Sequence, residues 1–102
     1  MNTDWIALCR QVENKRKIKD IFQHANFEMD ELDEEIFNLE EGFGEGDDGV
    51  VGEAVDVILC MLDIIAMHDP DINMEVLEQV MHKKYSKWIR NYTNVEQKLQ
   101  EE

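Results

Sequence analysis

Two pairs of carboxylates carry the spacing that chemistry needs. Glu31 and Glu34 lie three residues apart, and so do Glu53 and Asp56. On helices, each pair would project from one face. Two such helices set against each other make an all-oxygen cage. That donor set suits a hard cation such as Mg²⁺ or Mn²⁺ and, with no histidine or cysteine joining it, does not suit zinc. His24, His68 and His82 are far apart in sequence and are expected on surfaces or in loops. The plainer alternative is that Asp30 to Glu35 form a solvated face and that Glu53 and Asp56 favour the positive end of their helix. Asp63, two turns beyond Asp56, fits that alternative less well, although a base from the first or fourth helix could pair with it.

The elements that must position these acids are helices. One proline, five glycines and few alternating β-branched runs predict an all-α chain. Thr3 is the expected cap of a first helical stretch, about 4–23, with a break near Asn14. A second helix is expected at about 27–41, with Met29, Leu32, Ile36 and Leu39 as its apolar stripe. Gly42 to Gly49 holds four of the five glycines and reads as a loop. A third helix, about 50–67, stops before Asp69-Pro70. A fourth, about 72–92, is capped by Asp71, and a polar tail follows it. Four helices with short connections predict a four-helix-type bundle in a single domain spanning 1–102.

The third helix sharpens the problem. From Val50 to Met67 it is apolar on nearly every side, which predicts burial all round, yet it carries Glu53, Asp56 and Asp63. An unpaired buried carboxylate costs on the order of several kcal/mol, so these acids require a cation or a proton. No lysine or arginine occurs between Lys19 and Lys83, while nineteen of the 24 acids fall in that interval. A helix with so much apolar surface also predicts a dimer or tetramer, with the site near a subunit boundary.

Asp30-Glu31-x-x-Glu34, a glycine-rich loop, then Glu53-x-x-Asp56-Val57 resembles the EExxE…ExxD signature of MazG-like all-α nucleotide pyrophosphohydrolases. The resemblance runs from the second helix through the fourth. Asp30 stands where the family's first glutamate is usual, and Glu35 where an apolar residue commonly follows. The resemblance implies that Glu31, Glu34, Glu53 and Asp56 hold Mg²⁺ (or Mn²⁺) and that a nucleoside triphosphate is cleaved by water to a monophosphate and pyrophosphate. Glu34 is then the glutamate that takes the proton. Lys84, Lys87 and Arg90 on the last helix resemble the family's phosphate-binding bases, although Lys84, taken alone, reads as a lysine snorkelling past an apolar stripe. The Lys15-Arg16-Lys17-Lys19 cluster is expected to be a solvated basic patch.

Composition narrows the remaining classes. A net charge of -14 repels nucleic acid and anionic membranes, so neither is an expected partner. No apolar run predicts a signal peptide or membrane span. Cys9 and Cys60, without CxxC spacing, read as reduced thiols of a cytoplasmic protein. The glycine loop lacks GK[ST] and is no P-loop; aligning Asp48-Gly49 with an EF-hand puts glycines at ligand positions. Two other functions remain open: a non-catalytic acidic helical module, for example one that mimics the charge of DNA, and a degenerate family member that binds nucleotide without turning it over.

Overall fold

The structure, a computed structural model, describes residues 3–12 and 15–101, with side chains through residue 92. It is all-helical: α1 spans Trp5–Gln11, α2 Ile18–Glu40, α3 Gly49–His68 and α4 Met74–Glu101, and no strand occurs among the described residues. None of these helices is long and apolar enough to cross a membrane. The chain divides into two compact units, Met1–Asp71 and Ile72–Glu102.

In the first unit, α3 is the element against which both α1 and α2 pack. The Asp4 carboxylate, not Thr3, caps α1 by accepting from the Ala7 N–H at 2.9 Å. The break expected near Asn14 lies outside the described residues. Beyond it, α2 differs from expectation: it starts at Ile18 and runs unbroken to Glu40, absorbing the stretch assigned to the end of the first helix. Nothing between Phe22 and Phe27 is a proline or glycine, so no residue there interrupts the hydrogen-bond ladder. Asp20 secures the new start by accepting from the Lys17 N–H at 3.1 Å.

Starting the helix at Ile18 also changes which face points inward. The least exposed residues of α2 are Ile21, Ala25, Glu28, Leu32, Glu35 and Asn38, a stripe at helical spacing. Met29, Ile36 and Leu39, expected as the inner stripe with Leu32, are instead 49%, 38% and 48% exposed. Along the inner stripe, two glutamates therefore alternate with apolar side chains. Nor is α3 covered on every side, because Val51, Val55 and Ile58 remain exposed within this chain.

The connection from α2 to α3 is built by backbone geometry. Gly42 takes φ +85°, and the Gly42 and Phe43 N–H groups return to the carbonyls of Leu39 and Asn38. This pairing ends a helix at a left-handed glycine. Gly49 opens α3 at φ +69°. The second unit is α4, whose first turn is capped by the Asn73 side chain at 2.9 Å from the Val76 N–H. Asp71, the expected cap, instead donates its N–H to the Asp69 carboxylate. On α4, Trp88 and Tyr92 meet edge to face with ring centres 4.8 Å apart.

Candidate metal centre

Near the loop, one acid of α2 and one of the loop itself hold backbone. Glu35, on the inner stripe, accepts from the Gly46 N–H. Glu45 accepts from the Val50 N–H at 3.0 Å and so caps α3, a service Asp48 does not perform with its own side chain. Further from the loop the acids face one another. Ligand oxygens of Glu28, Glu53 and Asp56 all lie within 4.8 Å of each other. Glu31, which is exposed, adds its negative charge beside Glu53. The two helices run as a hairpin, so three residues back along α2 matches three forward along α3. Glu28-x-x-Glu31 thereby faces Glu53-x-x-Asp56.

Two of the four acids expected to form a cage, Glu53 and Asp56, are therefore brought together, while Glu31 is exposed beside them. Glu28 joins them where spacing had suggested Glu34. Glu34 is exposed, one turn nearer the loop. Glu28 had a legible signal: once α2 begins at Ile18, it follows Ile21 and Ala25 at i+7 and i+3 on the buried stripe. Lys84, Lys87 and Arg90 all lie on α4, with Lys84 and Lys87 beside Tyr85 and Trp88.

The electrostatics are those of an under-compensated acid cluster. The Glu53 carboxyl is pushed above its ordinary value, first by loss of hydration and next by the charge of Glu31, with smaller contributions from Asp48 and Asp56. Oε2 of Glu28 and Oε2 of Glu53 are shut off from solvent and have no hydrogen-bond partner among the described residues. Closed-off carboxylate oxygens without donors are rare in native proteins and call for an explanation such as a bound ion. Three carboxylates on two helices match the oxygen-only coordination of Mg²⁺ or Mn²⁺.

A cleft of about 230 Å³ adjoins the cluster, lined by Arg16, His24, Glu28, Asp56, Cys60 and Asp63 among others. Arg16 is exposed, as expected of a solvated patch. Its guanidinium also reaches Asp63 Oδ2 at 3.4 Å and His24 Nδ1 at 3.4 Å. Asp63 thus pairs with a base from the N-terminal segment. His24, on α2, is exposed at the surface as expected, with Nε2 2.9 Å from Glu28 Oε1. The Cys60 thiol is raised by burial and then by Glu28 and Asp63, which keeps it protonated and a poor nucleophile. Comparison of the chain with protein-family models, curated proteins and solved structures gives no match.

Proposed function

We propose that the chain is a Mg²⁺-dependent nucleoside triphosphate pyrophosphohydrolase, with Glu28, Glu31, Glu53 and Asp56 as the metal-binding carboxylates. The observation that carries this reading is the pair of closed-off oxygens on Glu28 and Glu53, without a partner among the described residues, grouped across two helices with one further acid, Asp56. Bound Mg²⁺ or Mn²⁺ would neutralise the polyphosphate oxygens and ease attack of water on phosphorus. Glu34, about 5 Å along the helix axis from Glu31, takes the proton of the attacking water. The phosphoanhydride bond breaks to leave a nucleoside monophosphate and pyrophosphate. Lys84, Lys87 and Arg90 are the proposed cations for the substrate's phosphates.

A second copy of the chain belongs to the same proposal. Phe22, Met29, Phe37 and Val51 are each about half exposed or more, and a dimer or tetramer of bundle form would cover such side chains. A cytoplasmic site of action follows from the substrate class.

The test is pyrophosphate release from a panel of ribo- and deoxyribonucleoside triphosphates, with and without Mg²⁺, beside Glu53→Gln. The expected outcome is release that needs the metal and that the variant loses. A folded protein that releases pyrophosphate from none of them would contradict the reading and favour the acidic interaction module.

A further inference from the structure

The Arg16–His24–Glu28 chain has a direction. Arginine carries only donors, so the contact from its guanidinium to His24 Nδ1 at 3.4 Å requires that nitrogen to accept. The imidazole proton then resides on Nε2, which donates to Glu28 Oε1 at 2.9 Å. Glu28 is four residues after His24, so both side chains rise from one face of α2. With Oε1 held by the histidine, the remaining oxygen, Oε2, is closed to solvent and has no donor among the described residues, and Glu28 shares the acid cluster with Glu53 and Asp56. Arg16 also reaches Asp63 Oδ2, so the same guanidinium spans from α3 to the imidazole on α2.

We propose that Arg16 and His24 are positioning residues that fix the rotamer of Glu28 and aim its Oε2 at a divalent cation. The inference rests on the metal-binding reading of the cluster. Neither residue need touch the cation or the substrate. A histidine proton on Nε2 leaves a ligand oxygen held from behind, the arrangement by which outer-shell groups tune metal affinity.

Asparagine and glutamine separate the two ring nitrogens. A glutamine amide mimics a donor at Nε2, whereas asparagine reaches only the position of Nδ1. Mn²⁺ affinity, measured by calorimetry and by the paramagnetic signal of free Mn²⁺, is expected to fall about 10-fold or more in His24→Asn and to recover in His24→Gln. In a Glu28→Gln background, His24→Asn should produce no further loss. Nitrogen-15 spectra of the metal-free protein should show His24 as the Nε2–H tautomer.

Tight Mn²⁺ binding by the wild type that His24→Asn leaves unchanged would overturn this inference alone. So would an Nδ1–H tautomer, or equal losses in the asparagine and glutamine variants. A wild type that binds no Mn²⁺ would overturn the metal-binding reading and this inference with it.

Discussion

Two levels of the α2–α3 hairpin use the same residue types in opposite ways. At the loop end, acids find backbone donors: Glu35, on the inner face of α2, accepts from the Gly46 N–H, and Glu45, exposed in the loop, accepts from the Val50 N–H. One to two turns deeper, Glu28 and Glu53 each keep an oxygen that is closed to water and has no donor among the described residues. Both levels lie on one helix pair and share the acidic character of the interval between Lys19 and Lys83. What separates them is access to unsatisfied N–H groups. A turn and a helix start offer such groups, whereas the middle of a helix has already committed them to its own ladder. An acid facing inward from mid-helix must therefore find a proton, a side-chain donor or a metal.

The comparison breaks most visibly at Glu34, which belongs to neither level. If it is the proton acceptor, Glu34→Gln should lower kcat roughly 100-fold while leaving Mg²⁺ affinity unchanged. A parallel loss of metal affinity would instead place Glu34 among the ligands. At the loop end, Glu35→Gln weakens a charge-assisted bond to backbone and should lower stability by about 1 kcal/mol with no change in metal affinity. Denaturant unfolding and Mn²⁺ titration of that variant read both halves of the expectation.

The smallest effect is a dependence on pH. Glu53 is held above the ordinary glutamate value of 4.5, while the unfolded chain titrates near that value. Below it the group is protonated in both states and its contribution to stability is fully present. As pH rises through the elevated folded-state value, the folded protein must surrender the proton and that contribution is lost. Without metal, the wild type should therefore lose stability relative to Glu53→Gln as pH climbs from about 4 to about 8, a difference read from paired denaturation midpoints.

Much of this was legible in the residues. Helix content followed from the scarcity of proline and of alternating strands, and the loop from its glycines. Glu53 and Asp56, which share the acid cluster, stand at i, i+3 spacing. Glu28 was hidden by a misplaced helix boundary, because a second helix taken to begin near Phe27 makes Glu28 look like a first-turn acid. Beginning at Ile18 makes it the next inward position after Ile21 and Ala25. The inner stripe was misread for a related reason: hydrophobic periodicity picked out Met29, Ile36 and Leu39, which this chain leaves exposed. Two apolar faces compete on α2, and a single sequence does not say which one its own α3 takes. The bond from Arg16 to Asp63 spans 47 residues, a separation no local spacing rule reaches.

The most direct test of the mid-hairpin claim is thermal unfolding of the metal-free protein, with and without saturating Mg²⁺, for the wild type and Glu53→Gln side by side. The account predicts a wild-type Tm that rises by roughly 10 °C at a hundredfold excess over Kd, and a variant that does not respond. A wild type whose Tm ignores both Mg²⁺ and Mn²⁺, or a Glu53→Gln variant that gains as much as the wild type, would contradict it.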